Sequence, residues 1–249
     1  MAGVTGLPLR TRAALLLRSF AVQGSWNYQT LIGTGFAFVL LPALRRRFRG
    51  DEEGLRAAVA RHAELFNSHP YLVTVAAGAV ARLEEDGVPP ETIRRFKSAL
   101  RGSLGSIGDR LVWQAWRPAC ALLAVALLLA GAPWWVGVSV FLLVYNALHL
   151  WLRAWGLRTG LRDGLGVGKA LREAPFERLG ERASDVGAML AGLAAMLALG
   201  FAFRAPEEYA LGFAAAGAGL WLGLLLIRRA VWAALLLVWL VDAVVVATT

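Results

Sequence analysis

The chain has 249 residues, of which 58% are apolar and only 17% are charged, and its mean hydropathy is +0.57. Soluble globular domains have about 45–50% apolar and about 25% charged residues. This chain therefore has too few polar side chains to cover a soluble globule of its size. Ten tryptophans agree, because Trp is enriched at the bilayer–water interface. The composition excludes an ordinary soluble enzyme and predicts an integral membrane protein.

The charge balance has two possible meanings, since 26 Lys and Arg stand against 17 Asp and Glu and give a net charge of +9. A strongly basic protein can bind nucleic acid. Here, however, basic residues adjoin apolar segments, where the positive-inside rule places them. The clearest examples are Arg45, Arg46, Arg47, Arg49, Arg228 and Arg229. We therefore expect a lipid bilayer as partner and no nucleic acid.

Motifs for catalysis are missing from the sequence. The single cysteine, Cys120, excludes an internal disulfide and a multi-cysteine metal site. The glycine-rich residues 164–169 lack the spacing of a phosphate-binding loop and predict a flexible cytoplasmic loop. No HExxH zinc motif and no GxSxG nucleophile elbow occurs. We expect no catalytic residue, no metal and no cofactor in this chain.

The first part of the chain, residues 1–118, is amphipathic and punctuated by Gly and Pro. Its apolar runs, residues 31–44 and 71–81, are too short to span a bilayer and favour re-entrant or protein-buried segments. Residues 51–66 have helical spacing and predict an amphipathic helix on the cytoplasmic surface. A second short amphipathic helix is predicted at residues 91–100, after two prolines.

The second part, residues 119–249, consists mostly of apolar sequence that is typical of transmembrane helices. Residues 119–152 form one run without Asp, Glu, Lys or Arg. This run is longer than the 20 or so residues that one crossing needs. The sequence Gly131-Ala132-Pro133 near the middle predicts a broken helix or helical hairpin, with one long tilted helix as the alternative. Further spans are predicted at residues 186–203, 209–227 and 230–247.

The loops give a consistent topology. Seven Lys and Arg lie in residues 153–185, so this stretch and the pair Arg228-Arg229 are predicted to face the cytoplasm, and residues 204–208 the outside. The predicted fold is an all-α integral membrane protein. Its amphipathic and re-entrant helices lie in residues 1–118, and several transmembrane helices lie in residues 119–249. We expect it in the bacterial cytoplasmic (inner) membrane, as a multi-pass protein.

Three polar clusters in the first part are candidates for binding. Gln23, Ser25, Trp26 and Asn27 precede an apolar run. Helix capping explains Ser25 or Asn27 without function, whereas hydrogen bonds to a sugar hydroxyl or a partner's backbone would give these amides a binding role.

The second cluster is the turn Asn67-Ser68-His69-Pro70, where Pro70 forces His69 out of helical geometry. A helix stop explains Asn67 and Pro70, but the donors and acceptors also suit a polyol. The third cluster is the Gly/Ser-rich stretch 102–109, predicted to be a loop that ends in Asp109. That carboxylate has Arg117 as a possible structural partner.

These clusters together resemble the IID membrane component of the mannose/fructose/sorbose family of the bacterial phosphoenolpyruvate-dependent sugar phosphotransferase system. The family has the motifs Q-G-S-W-N-(F/Y), G-F-A/C, P-A-(I/L)-(K/R)-R, R-H-x-E-F-F-N-T-(H/Q)-P, L-E-E and G-P-L-A-G-(I/V)-G-D…W…R-P. Their counterparts here, in the same order, are residues 23–28, 35–37, 42–46, 61–70, 83–85 and 102–118. Two departures are Ser103 in place of a family proline and the short residues 204–208, where the family has a longer polar insert.

The resemblance implies a permease subunit that forms the sugar path with a IIC membrane subunit. It implies soluble IIA and IIB phosphocarrier proteins, which phosphorylate a hexose-type sugar, so that no catalytic histidine is needed in this chain. The substrate- or partner-binding candidates are Gln23, Ser25, Trp26, Asn27, Asn67, His69 and Asp109. The two departures motivate the alternative of a diverged regulatory or scaffolding membrane protein that keeps the fold without transport.

Overall fold

The computed structural model describes residues 6–202, and most of that part of the chain is helical. Its nine α-helices there are α1 Leu9–Ser19, α2 Gly33–Arg47, α3 Glu52–Ala63, α4 Val73–Glu85, α5 Pro90–Gly108, α6 Arg117–Leu129, α7 Trp134–Asp163, α8 Val167–Glu173 and α9 Phe176–Ala202. A π-helical segment, Asp109–Trp116, joins α5 to α6, and the 3₁₀ turn Gly164–Gly166 joins α7 to α8. The predicted all-α fold is confirmed.

The chain divides into two compact units, residues 1–191 and residues 192–249. The first unit holds α1 to α8 and most of α9, and the described part of the second is the end of α9. The predicted spans at residues 209–227 and 230–247, with the turn 204–208, lie outside the described residues. The predicted division at residue 118 stays a prediction.

Two helical stretches, Pro90–Leu129 and Trp134–Ala198, each contain a segment long and apolar enough to cross a membrane, and the second stretch comprises α7, α8 and α9 in succession. By contrast, α2 and α4 have 15 and 13 residues. At 1.5 Å per residue they are about 22 and 20 Å long, less than the roughly 30 Å of a bilayer's hydrocarbon core. The two short apolar runs therefore form helices that do not span, as their lengths predicted.

A helical hairpin is formed by α6 and α7, which confirms the predicted break and makes the single long helix wrong. Gly131, with φ of +89°, ends α6 in a Schellman motif. In this motif the Gly131 N–H donates to Leu128 O at 3.0 Å and the Ala132 N–H donates to Leu127 O at 3.0 Å. Pro133 then precedes the first residue of α7. The glycine, rather than the proline, ends the first helix.

The core of the first unit is α4, of which eleven residues are buried, and its main neighbour is α7. Glycines let the two backbones touch. A Cβ on Gly78 would lie 2.6 Å from Leu157 O, and one on Gly156 would lie 2.5 Å from the Thr74 hydroxyl oxygen. A Cβ on Gly160 would lie 2.7 Å from Ala79 N. Gly156 and Gly160 thus form a small-xxx-small contact, which permits close helix approach in membrane proteins.

Two predicted loops are helical instead. Residues 102–109 continue α5 into the π-helical segment, because the buried residues Ile93, Lys97, Leu100, Leu104 and Gly108 recur at helical spacing along one face. That periodic burial outweighs the cost of about 1 kcal/mol that each glycine adds inside a helix. The predicted flexible loop at residues 164–169 is a 3₁₀ turn followed by α8.

The predicted amphipathic helices are both present. The first, α3, begins after Asp51, whose carboxylate accepts a hydrogen bond from the Gly54 N–H at 2.7 Å. It ends at Ala63, three residues before the predicted end at residue 66. The second, α5, begins with Pro90 at its first position and is longer than the predicted 91–100.

The α4–α7 contact leads to a stability prediction for Gly160→Ala. The added methyl group would push the two helices apart, and overpacking of this kind costs about 1–3 kcal/mol. We expect a clearly lower unfolding temperature for the purified protein in detergent.

Gly168→Ala in α8 is the matched control, because its Cβ would meet only the end of the Arg172 side chain at 3.7 Å. An unfolding temperature of Gly160→Ala equal to that of the control would contradict the proposed backbone contact.

Candidate functional site

The first predicted cluster forms a turn that Asn27 holds together. Its side-chain oxygen accepts hydrogen bonds from the backbone N–H groups of Gln29, at 3.0 Å, and Thr30, at 2.9 Å. Its amide nitrogen donates to Ser25 O at 3.2 Å and to the Thr30 hydroxyl at 2.8 Å. The amide of Asn27 is thus satisfied within its own turn, and neither it nor Ser25 caps α2, which begins after Ile32.

The other members of this cluster are open to the surroundings. Gln23 and Ser25 are exposed, and Trp26 is 46% exposed with its ring edge-on to Tyr28 at 4.8 Å between centroids. Within residues 6–202, no side-chain hydrogen bond is formed by Gln23 or Ser25. These groups are free to bind something outside this part of the chain.

The turn is joined by backbone hydrogen bonds to the segment that carries the second cluster. The Phe66 N–H donates to Thr30 O at 3.2 Å, and the Ile32 N–H donates to Phe66 O at 3.1 Å. Gly33 permits this junction, since a Cβ there would lie 2.7 Å from Ala63 O. The first two sequence clusters are therefore neighbours in the fold.

The second cluster splits between the surface and the interior. Asn67 is exposed, whereas Ser68, His69 and Pro70 are buried. The sequence indicated that this turn would bring amide, hydroxyl and imidazole to one place, but the Asn67 amide lies at the surface while the Ser68 hydroxyl and the His69 imidazole lie inside. The helix-stop interpretation is also wrong for Asn67, since α3 ends at Ala63 and α4 begins after Leu72.

His69 is the point of contact between the second and third clusters. Its ring lies 4.9 Å from those of both Tyr71 and Trp113, and its Nδ1 accepts a hydrogen bond from the Tyr71 N–H at 3.2 Å. Gly108 lies directly against the imidazole, because any Cβ there would collide with the His69 side chain. Burial, and then the positive charge of the nearby Arg153, lower the pKa of His69 to about 4. A neutral, buried imidazole is a packing element here.

Asp109 follows Gly108 at the start of the π-helical segment and is exposed. It forms no ion pair with Arg117 in the described residues. The guanidinium of Arg117 lies instead over the ring of Trp113, 5.1 Å from its centroid. The structural pairing that the sequence suggested is thus absent, and the Asp109 carboxylate stays open.

Five predicted site residues consequently lie on the outside of segments that are tied to one another. We call them the exposed motif face: Gln23, Ser25, Trp26, Asn67 and Asp109. The segments are linked through the Thr30–Phe66 and Gly108–His69 contacts described above. The two remaining predicted residues have structural roles. Asn27 holds the first turn together, and His69 packs the second cluster against the third.

A buried ionic cluster joins other motif residues. Glu84 Oε1 accepts hydrogen bonds from Arg61 Nη2 at 2.7 Å and from His62 Nε2 at 2.8 Å. Lys97 Nζ donates to the backbone oxygen of Arg61 at 2.9 Å and lies 5.7 Å from the centroid of the Phe36 ring. The cluster ties α3, α4 and α5 together at a point that is closed to solvent.

The pKa values in this cluster follow from its burial and its hydrogen bonds. Burial lowers the pKa of His62, although the hydrogen bond to Glu84 opposes the shift, so the imidazole is neutral. Burial alone would raise the pKa of Glu84, but the hydrogen bonds from His62 and Arg61 outweigh it and lower the pKa. Glu84 is therefore an ionised carboxylate that compensates the buried Arg61.

A second buried group was missed by the sequence reasoning. Arg153 was assigned to a cytoplasmic stretch, but it is 3% exposed within α7. Its guanidinium donates to His149 Nε2 at 2.7 Å and to the backbone and hydroxyl oxygens of Ser19, both at 2.8 Å. His149 stacks on Tyr71 at 3.9 Å, and the Tyr71 hydroxyl lies 2.6 Å from that of Tyr145. The spacing of His149 and Arg153, four residues apart on a helix, was the available signal.

These features define a class: a helical membrane protein with a buried ionic core, a helical hairpin and an exposed polar motif face. The family model of the PTS system mannose/fructose/sorbose family IID component matches residues 7–216. The chain belongs to this family.

Similar proteins agree with that assignment. The mannose-specific EIID component of Escherichia coli K12 is 30% identical over 183 residues, which is 72% of this chain and 64% of that protein. The fructose permease IID component of Bacillus subtilis 168 is 29% identical over 184 residues, or 72% of this chain and 66% of that protein. The chain thus matches somewhat less than two thirds of the length of these relatives.

Solved structures show the same fold. One is a cryo-EM structure of the mannose transporter ManYZ in complex with a microcin, with a TM-score of 0.61, 29% identity and coverage of 76% of this chain and 70% of that chain. Another, described only as a membrane protein, gives a TM-score of 0.67 at 28% identity and covers 77% of this chain and 71% of that chain. Family and fold together identify an inner-membrane protein.

The adjacent glutamates of the L-E-E motif allow a matched test of the buried cluster. Glu84→Gln would leave the Arg61 guanidinium buried without its counter-ion, and breaking a buried pair in this way costs about 3–5 kcal/mol. We expect a strongly lowered unfolding temperature or loss of folded protein.

Glu85→Gln is the control, because Glu85 pairs with Arg46 at 3.1 Å on a half-exposed surface. Such a pair is worth only about 0–1 kcal/mol. Equal losses in the two variants would refute a special role for the buried carboxylate.

Proposed function

We propose that this chain is the IID-type membrane subunit of a sugar-transporting phosphotransferase permease, and that it forms the translocation unit with a IIC subunit. The observation that carries the proposal is the family match over residues 7–216, together with the arrangement of the family motifs in the fold. The similar solved structure of a mannose transporter supports transport as the activity. The chain would cross the inner membrane several times, with the stretch from α5 to α6, α7 and α9 among the crossing segments.

The transported molecule is a hexose-type sugar, as the names of the mannose, fructose and sorbose relatives suggest. Soluble IIA and IIB proteins would deliver the phosphoryl group to the sugar. No residue of this chain takes part in that chemistry in our proposal. Both His62 and His69 are buried in contacts within the chain, which suits a structural role and not that of a phosphoryl carrier.

The exposed motif face is the proposed contact with the IIC subunit or the sugar. Its members expose an amide, a hydroxyl, an indole and a carboxylate, and these groups have few partners within the described residues. A surface of this composition suits hydrogen bonding to a sugar or to a partner's backbone. Ending or capping a helix does not explain the presence of Gln23, Asn67 or Asp109 at these positions.

Sugar uptake by membrane vesicles tests the proposed function. The vesicles should carry the IIC partner and the soluble IIA and IIB proteins, and they should be prepared with and without this chain. The proposal predicts phosphoenolpyruvate-dependent uptake of a hexose only when this chain is present. A chain that assembles with the IIC subunit but does not support uptake of mannose, fructose or sorbose would favour a regulatory or scaffolding protein.

The variant Asn67→Ala tests the exposed motif face. Loss of a hydrogen bond that becomes buried in the complex costs about 1–3 kcal/mol, so uptake per assembled complex should fall by roughly tenfold. The fold should be unaffected, because the Asn67 side chain forms no hydrogen bond within residues 6–202.

Gln29→Ala is the control for this variant, since Gln29 is an exposed amide outside the predicted site. Its uptake should stay at the wild-type level when normalised to the amount of complex recovered through the IIC subunit. An unchanged normalised uptake for Asn67→Ala would remove Asn67 from the site.

A further inference from the structure

A cavity of about 690 Å³ lies between the beginning of α1 and the end of α2, away from the exposed motif face. Arginines dominate its wall, and only one acidic residue accompanies them. The lining residues are Pro8, Arg10, Thr11, Arg45, Arg46, Arg47, Arg49 and Glu85. We call this cavity the arginine pocket.

Only part of the positive charge in the arginine pocket is compensated. Arg46 pairs with Glu85 at 3.1 Å, and Arg47 Nε donates to the backbone oxygen of Glu84 at 2.9 Å. Arg10, Arg45 and Arg49 form no ion pair within residues 6–202. Guanidinium groups gathered around one space are well suited to bind phosphate oxygens, because each can donate two parallel hydrogen bonds.

The helix that forms one wall of the pocket also exposes an apolar stripe. Leu9 and Leu17 of α1 are 77% and 70% exposed, and Ala13 and Phe20 are exposed at the same helical spacing. Arg18 fixes this helix against α2, because its guanidinium lies 4.5 Å from the centroid of the Phe38 ring and donates to Phe38 O at 3.1 Å. Such a helix, with arginines beside exposed leucines, is typical of one that lies in the membrane interface.

We propose that the arginine pocket binds the phosphodiester headgroup of an acidic phospholipid, whose acyl chains lie along the stripe of Leu9, Ala13, Leu17 and Phe20. A lipid matches both features at once, since the arginines meet its phosphate and the leucines meet its hydrocarbon. A soluble phosphate would use the pocket and leave the stripe uncovered. The positive-inside rule assigns the end of α2 to the cytoplasmic leaflet, which carries a negative surface potential.

The test compares charge removal inside and outside the pocket. The full chain is purified together with its membrane partners in detergent, phosphatidylglycerol is added, and bound lipid is counted by native mass spectrometry. The double variant Arg45→Gln/Arg49→Gln should bind phosphatidylglycerol at least about tenfold more weakly than the wild type. The double variant Arg56→Gln/Arg95→Gln removes the same charge from exposed pairs with Glu52 and Glu91 and should bind as the wild type does.

Two further measurements separate the lipid from other anions. Leu9→Gln should weaken phosphatidylglycerol binding without changing the pocket's charge, and glycerol phosphate at the same concentration should not displace the lipid. Equal lipid binding by the two double variants would overturn the proposal. Displacement by glycerol phosphate, or full lipid binding by Leu9→Gln, would show a site for a soluble anion and would also overturn it.

Discussion

The close contact between α4 and α7 is the constraint on which the rest of the first unit depends. Because Gly78, Gly156 and Gly160 bring the two backbones together, α4 is buried on nearly all sides despite having only 13 residues. Its end carries Glu84 into the interior, where the carboxylate meets Arg61 and His62. Its beginning is set by the buried turn at His69, which lies against Gly108. The ionic cluster and the motif turns thus both take their positions from this one helix.

The family motifs serve two different physical purposes in this fold. In a closed cluster, the Glu84 carboxylate compensates the Arg61 guanidinium and accepts a hydrogen bond from the neutral His62, and Gly108 makes room for His69. The residues of the exposed motif face, such as Asn67 and Asp109, have no comparable role among the described residues. Side chains that leave hydrogen-bonding capacity on the surface of a membrane subunit are available to a partner or a ligand. This contrast separates residues that hold the fold from those that we propose for contact.

Much of the fold was predicted from the lengths of the apolar runs, the spacing of apolar residues and the positions of glycine and proline. The hairpin between α6 and α7 follows from an apolar run too long for one crossing and from Gly131, which ends α6 in a left-handed conformation. The helices α3 and α5 follow from their capping residues and apolar spacing. Residues 102–109 were predicted as a loop because glycine is a poor helix former. Burial of Leu100, Leu104 and Gly108 on one face outweighs that preference, and such packing is a property of the whole fold.

The sequence identified the residues of the candidate site but not the directions in which their side chains point. Sequence order indicated Asn67 and His69 together, but it could not show that one faces outward and the other inward. The buried contact of Arg153 with Ser19 was also missed, since 134 positions separate the two residues and neither belongs to a recognisable motif. Contacts between distant segments depend on how helices pack, and a single sequence carries little information about that packing.

Cysteine labelling of the assembled complex tests the central claim that the exposed motif face is enclosed in the complex, against the IIC subunit or along the sugar path. The only cysteine of the sequence, Cys120, is buried and would be replaced by Ala. Asn67→Cys and Ser98→Cys then place single thiols at two positions that are both exposed in this chain. In complexes purified through the IIC subunit, a water-soluble maleimide should label position 98 readily and position 67 much more slowly. Equally fast labelling at both positions would contradict the account.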